Sequence, residues 1–187
     1  MEESQPDETL MVLVAARDQR AFRALMQRHM PRAIRLAQRI VNNPAEADDI
    51  GQEAFMRIWN HASSFDPGMA RFTTWFYRIV LNLSFDRTRK PRHRPIEDAA
   101  HVEAPDAAPV EAIIAREQET LLARAMAMLP DRQRAAVALF HMEGLGGREA
   151  ANAMGLTEKA FESLLARARL ALRKHVEQAD EGRRNYA

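Results

Sequence analysis

The sequence predicts an all-α protein built from two small helical domains joined by a flexible acidic linker. Three observations carry this. Apolar residues recur at steps of three and four along most of the chain, with hardly any β-branched alternation of the kind a strand requires. An internal stretch, residues 95–112, is rich in Ala, Pro and acid and holds little that could bury a core. The chain has 187 residues, 47% of them apolar, which suits two short domains better than a disordered polymer. There is no cysteine, so a disulfide framework, a thiolate metal site and a cysteine nucleophile are all excluded, and stability must come from packing.

The formal net charge of +1 hides an asymmetry. Residues 1–9 form an acidic tail with Glu2, Glu3, Asp7 and Glu8. Residues 10–94 carry 15 basic and seven acidic side chains, whereas residues 95–112 carry five acids and no Lys or Arg. A surplus of eight positive charges on one domain favours a polyanionic partner, because neutralising phosphates releases condensed counterions. A solvated arginine-rich surface is the plainer alternative. The 18-residue tether stretches to at most about 60 Å, and as a coil averages about 25 Å. The remaining segments are a second domain, 113–177, and a C-terminal tail, 178–187. No apolar run approaches the roughly 18 residues of a membrane span, and the acidic N-terminus lacks the basic start of a secretory signal. A cytoplasmic setting is expected.

In the first domain, Phe22, Leu25, Met26, His29 and Met30 share a helix face, and Ile34, Ala37, Ile40 and Val41 continue it beyond Pro31. The run NNPAEADD then marks a break and a new start. Pro44 suits a first helical turn, and Glu46, Asp48 and Asp49 suit the positive end of a helix dipole. The helix over 45–61 buries Ala47, Ile50, Ala54 and Ile58, with Phe55 a further candidate, and leaves Asp49, Gln52, Glu53, Met56 and Asn60 outside. SSFDPG ends it. A further helix starts at Thr73 or Thr74 and stops at Arg89 before Pro91, with Phe76, Ile79, Val80 and Leu83 as its buried stripe.

Carboxylates four apart, as at Asp49 and Glu53, can bind a metal or share acid and base work. No His or third acid stands nearby at ligand spacing. A solvated face and a surface that docks onto a basic protein partner are the other two readings. On the next helix, Trp75, Arg78, Ile79, Asn82, Asp86 and Arg89 recur at helical steps. A ring, an amide and guanidinium groups on one face can stack on an unpaired base and hold its backbone. The alternative is that Phe72, Trp75, Phe76 and Tyr77 are core; that reading suits Phe76 better than it suits Trp75. Arg87, Arg89, Lys90, Arg92, His93 and Arg94 form a basic cluster fit for phosphate.

The second domain holds the most specific pattern, REAANAMGLTEKAFESLLARARLALRK, which fits a helix-turn-helix. Ala151 permits close helix contact, Gly155 supplies the permissive turn residue, and Leu156 plugs the turn. Thr157 caps the second helix, Phe161 and Leu165 face inward, and Lys159, Glu162, Ser163 and Arg167 face a major groove. An ordinary helical hairpin shares part of this pattern. Leu129, Val137 and Phe140 belong to a preceding helix on which the pair can pack.

In this order, the segments resemble a sigma factor of the extracytoplasmic-function (ECF) type, within the sigma-70 family. The resemblance covers nearly the whole chain. EADDIGQEAFMRIW resembles the family's polymerase-docking helix, and implies that Asp49, Gln52 and Glu53 contact the clamp coiled coil of the largest subunit of core RNA polymerase. FTTWFYRIVLNLSFDRTRK resembles its −10 promoter segment. It implies that Thr74, Trp75, Arg78 and Asn82 melt or read the −10 element, with Arg87, Arg89 and Lys90 near the backbone. The first domain would then be sigma region 2. The second would be sigma region 4, whose recognition helix reads the −35 element through Thr157, Lys159, Glu162, Ser163 and Arg167. The resemblance also implies a membrane-anchored anti-sigma factor, promoter DNA as partner, a monomeric free state, and neither a catalytic centre nor a cofactor nor a metal.

The chain departs from the family pattern in three places. An acid stands at Glu162 and an apolar residue at Leu164, where many members carry basic ones; Glu162 can accept from cytosine N4. Gly51 replaces a bulkier residue inside the docking helix, at a cost of about 1 kcal/mol in helix propensity. Three other readings remain at this level, one of them a helical scaffold without nucleic-acid function, which leaves Trp75 and the basic cluster unexplained. A helix-turn-helix repressor or activator would act without polymerase docking, and a carboxylate–metal enzyme would use Asp48, Asp49 and Glu53.

Overall fold

The computed structural model describes residues 5–89 and 121–184. Residues 1–4 of the acidic tail, Lys90, Arg92, His93 and Arg94 of the basic cluster, the 95–112 linker and residues 113–120 lie outside the described residues. The first domain contains α1 (Asp7–Ala15), α2 (Gln19–Val41), α3 (Pro44–His61) and α4 (Phe72–Arg89), with a 3₁₀ turn at Ala62–Ser64. In the second, helical residues 121–127 are followed by α5 (Asp131–Val137), a π turn (Ala138–Met142), α6 (Gly147–Met154) and α7 (Glu158–Arg184). The described residues contain no strand.

Local chemistry sets the helix starts. The Asp18 carboxylate accepts from the backbone N–H groups of Arg20 and Ala21 at 2.7 and 3.1 Å, and the Asn43 side chain accepts from Glu46 N–H at 3.2 Å, so each satisfies otherwise unpaired N–H donors of a first turn. Pro44 stands in the first turn of α3, as its fixed φ allows. Asn42 closes α2 in the left-handed conformation at φ 53°.

The first core joins Leu10, Met11 and Val14 of α1, Leu25, Leu36 and Ile40 of α2, Ile50, Phe55 and Ile58 of α3, and Phe72, Phe76, Tyr77 and Val80 of α4. Phe72 and Phe76 stack with centroids 5.7 Å apart, and Phe55 meets Phe76 at 5.6 Å. Of the stripe expected on α4, Phe76, Val80 and Leu83 are buried and Ile79 is half-buried. The buried cluster continues without a break into the second half, where it is rich in alanine: Ala135, Ala136, Ala138, Ala150, Ala151, Ala153 and Ala168 are buried with Leu129, Val137, Leu139, Phe161 and Leu165.

Four features differ from the sequence reading or complete it. α2 is continuous through Pro31, which lies inside the helix. Residues 7–9, grouped with the acidic tail, begin α1. Their acids are anchors: Asp7 pairs with Arg28 at 2.9 Å and with His29 at 2.8 Å, while Glu8 accepts from the Phe72 N–H at 3.0 Å. At the other end, α7 continues to Arg184 through most of the expected tail. Finally, Gly51 has a packing reason. A Cβ there would lie 2.9 Å from Ile34 Cγ1 and 3.1 Å from Met30 Sδ, so α2 and α3 can approach this closely only with glycine at the crossing.

Candidate functional site

Three surfaces gather the residues singled out above. On α3, Asp49, Gln52, Met56 and Asn60 are exposed and Glu53 is half-buried, because the opposite face is committed to the core. Glu53 accepts from Arg57 at 2.8 Å. Arg87, reaching across from α4, stands 3.8 Å from Asp49 and 3.7 Å from Glu53. These exposed ion pairs contribute little to stability. Their effect is to hold the two acids and one basic side chain in a common patch. No cluster of three metal-ligating side chains occurs among the described residues.

Beside this patch is an open groove of about 610 Å³ lined by Phe22, Met26, Met56 and Trp59, with Arg23 and Gln27 on its rim. Met56 is 63% exposed. Arg17 fixes the Trp59 end of the groove, placing its guanidinium 5.3 Å from the ring centroid and donating to the Trp59 carbonyl at 2.9 Å. The sequence reading placed Met56 outside but missed the groove, since Phe22 and Met26 carry the same helical spacing as true core residues.

The second surface is on α4. Arg78, Asn82, Asp86 and Arg89 are exposed along one side, with Trp75 and Arg87 half-buried. Trp75 leans on Phe65, centroids 5.4 Å apart, and on Phe72 at 6.5 Å; its position is therefore set by packing from below. Thr74 differs from its neighbours: it is only 7% exposed.

The third surface is the helix-turn-helix of α6 and α7. Gly155 adopts φ +65°, the left-handed conformation glycine permits, and Leu156 N–H closes the turn on the Ala151 carbonyl at 2.9 Å. Thr157 Oγ1 accepts from Ala160 N–H at 3.2 Å, capping α7. Phe161 and Leu165 are buried, so Thr157, Lys159, Glu162, Ser163 and Arg167 all face outward. Leu164 packs against the core edge, which accounts for an apolar residue at that position.

Two ionisable groups are displaced from their ordinary range. Burial, reinforced by the hydrogen bond and the charge of Glu143, pushes the Tyr77 hydroxyl well above the usual phenol value. Burial alone would raise Asp7; the hydrogen bonds and charges of His29 and Arg28 outweigh it and hold the carboxyl below the usual value. Both groups lie away from the three surfaces and act in packing.

These features define an all-helical protein with a helix-turn-helix and, on α4, a ring beside arginines and an amide on one exposed face. Comparison with known proteins specifies it. The family model for sigma-70 region 2 matches residues 25–94, and that for sigma-70 region 4 matches residues 119–172. The chain is 34% identical over 169 residues to the ECF RNA polymerase sigma factor SigM of Mycobacterium tuberculosis (strain H37Rv), covering 89% of this chain and 82% of that protein. It is 29% identical to the ECF RNA polymerase sigma factor SigW of Bacillus subtilis, covering 85% and 90%. Among solved structures it is similar to CnrH in complex with the cytosolic domain of CnrY, with a TM-score of 0.71, 27% identity, and 92% and 97% of the two chains covered. The chain belongs to the ECF sigma factors of the sigma-70 family. It is an alternative sigma factor, of a family whose members bind core RNA polymerase and promoter DNA.

Proposed function

We propose that the α3 patch docks core RNA polymerase, that α4 opens and reads the −10 element, and that α7 reads the −35 element. The observation that carries this is the division of surfaces: α3 presents acids, α4 a ring beside arginines and an amide, and the helix-turn-helix a set of polar side chains at groove-reading positions. Asp49, Gln52 and Glu53 meet a basic coiled coil on the largest subunit, with Met56 and the adjoining groove supplying apolar area. On α4, an extruded base stacks against Trp75 and is held by Asn82. Arg78 contacts the −10 strand, and Arg87 and Arg89 neutralise phosphate beside it. Lys90 continues that basic run. Thr74, being buried, acts by positioning α4 rather than by touching a base.

Base capture costs a few kcal/mol of unstacking, about what one stacking platform plus phosphate contacts returns. Neither module needs to bind DNA tightly alone, because once one is seated the effective concentration of the other rises. Within the second module, Thr157, Lys159, Ser163 and Arg167 contact the duplex, and Glu162 accepts from cytosine. The protein works in the cytoplasm and is held inactive by an anti-sigma factor anchored in the membrane. The test replaces Asn82 by Ala in the polymerase complex. Open-complex yield at a cognate promoter should fall at least tenfold while polymerase association is unchanged; an equal yield removes Asn82 from this role.

A further inference from the structure

We infer that Arg17 is a positioning residue for polymerase docking: its guanidinium holds the Trp59 indole at the end of the groove, in the shape that the polymerase clamp meets. The inference rests on the assignment of α3 to that docking. Arg17 occupies the corner between α1 and α2, with its backbone at φ 68°. Its N–H closes on the Val14 carbonyl at 2.9 Å, and the Asp18 N–H closes on the Leu13 carbonyl at 3.0 Å. This pair of hydrogen bonds ends a helix through a left-handed residue, a place glycine normally takes because a Cβ is strained there. Among the described residues, Arg17 and Asn42 are the two non-glycines with positive φ. Asparagine visits that region readily; arginine does not.

The side chain accounts for the strain. Arg17 Nη1 donates to the Trp59 carbonyl at 2.9 Å, in the last turn of α3, where the helix dipole is negative. The centre of the same guanidinium lies 5.3 Å from the Trp59 ring centroid. A planar guanidinium can stack on an indole and donate from its edge at once, which a smaller or unbranched polar group cannot do. Glycine or asparagine would suit this backbone and reach neither partner. Strained backbone persists where its surroundings over-determine it, and it gathers at binding sites.

What Arg17 holds bears directly on docking. Trp59 is half-buried, its ring 5.0 Å from that of Phe22, and both line the groove with Met26 and Met56. Asp49, Glu53, Met56 and Trp59 follow one another at steps of three and four along α3. The acid patch and the groove are therefore successive turns of a single face about 15 Å long. Without the guanidinium, the indole loses its cation and turns into the space that an apolar side chain of the clamp enters. The acids steer the basic clamp onto this face, while the shape of its apolar seat depends on a residue 42 positions away in the chain.

The experiment uses the full-length chain carrying Arg17→Gly. Glycine relieves the left-handed corner and removes the guanidinium, so the effects on folding and on docking separate. The urea unfolding midpoint should equal or exceed the parent's, while affinity for core polymerase falls by roughly fivefold or more, the scale of one cation–π contact. A second pair of chains carries Trp75→Phe, with and without Arg17→Gly, so that Trp59 is the one tryptophan left. There the acrylamide quenching constant should rise when Arg17 is replaced. Undiminished polymerase affinity overturns the inference. So does a loss of affinity with unchanged quenching, which would mean that Arg17 touches the polymerase itself, and so does a loss matched by a lower urea midpoint, the mark of a purely structural residue. Asp49→Lys with Glu53→Lys is measured alongside. If that pair binds polymerase as the parent does, the docking assignment of α3 fails and the role of Arg17 with it; if the pair fails to bind while Arg17→Gly binds normally, the positioning role alone is lost.

Discussion

The two modules solve the packing problem differently. The first is held by large rings: Phe55, Phe72, Phe76 and Tyr77 are buried against one another, with Trp75 half-buried above them. Aromatic residues bury much area and favour specific ring geometries, so they make a rigid platform. The second relies on alanine, which lets the short helices α5 and α6 approach the long α7 closely around Phe161. It is further supported by an arginine bonded to five backbone carbonyls. A platform that must resist the force of unstacking a base needs the stiffness of the first kind; a helix that only enters a groove does not.

The largest effect expected from this contrast is at the polymerase. Asp49→Lys together with Glu53→Lys should abolish co-purification with core polymerase, whereas Lys159→Ala with Arg167→Ala in the second module should leave it intact. Equal loss from both pairs would show that docking is not confined to the platform.

A smaller effect is expected where α1 is tied to α2. Asp7→Asn removes the carboxylate that meets Arg28 and His29 and should destabilise the platform by about 1–2 kcal/mol, the usual cost of unpairing a partly buried hydrogen-bonded charge. Because the folded protein holds this carboxyl below its ordinary value, its contribution is present above the unfolded aspartate range, near pH 4. It is lost as pH falls through the lower folded value. Urea unfolding of the parent and variant, followed between pH 3 and 7, should converge at the acidic end.

The smallest change is predicted at the α2–α3 crossing. Gly51→Ala gains up to about 1 kcal/mol in helix propensity but must displace Ile34 and Met30, at a typical cost of about 1–3 kcal/mol. A net loss of about 1 kcal/mol in urea unfolding is expected, and a gain in stability would show that the crossing can relax.

Much of this was legible because the signals are local. Gly155, Leu156, Phe161 and Leu165 lie within eleven residues, and helical periodicity alone sorted the two faces of α3. Asn82 and Arg78 were placed outward for the same reason. What escaped was set by distant parts of the chain. Gly51 reads as a defect until Ile34 and Met30 are brought against it. Asp7 and Glu8 read as tail until their partners Arg28, His29 and the Phe72 N–H come from 21 to 64 residues away. Arg134 and Glu143 gave no sign at all, since their cross-module partners are 66 to 104 residues distant. Thr74 falls at the margin of its helix face, where a step of 3.6 residues leaves inside and outside undecided.

The unbroken course of α2 has a mechanical consequence. At 1.5 Å per residue its 23 residues make a strut about 35 Å long. Near one end, Phe22 and Met26 border the apolar groove; at the other, the Arg39 and Ile40 carbonyls are gripped by Arg134. The groove and the seat of the Arg134 guanidinium are thus opposite ends of one rigid element, and their separation is fixed by the length of that single helix.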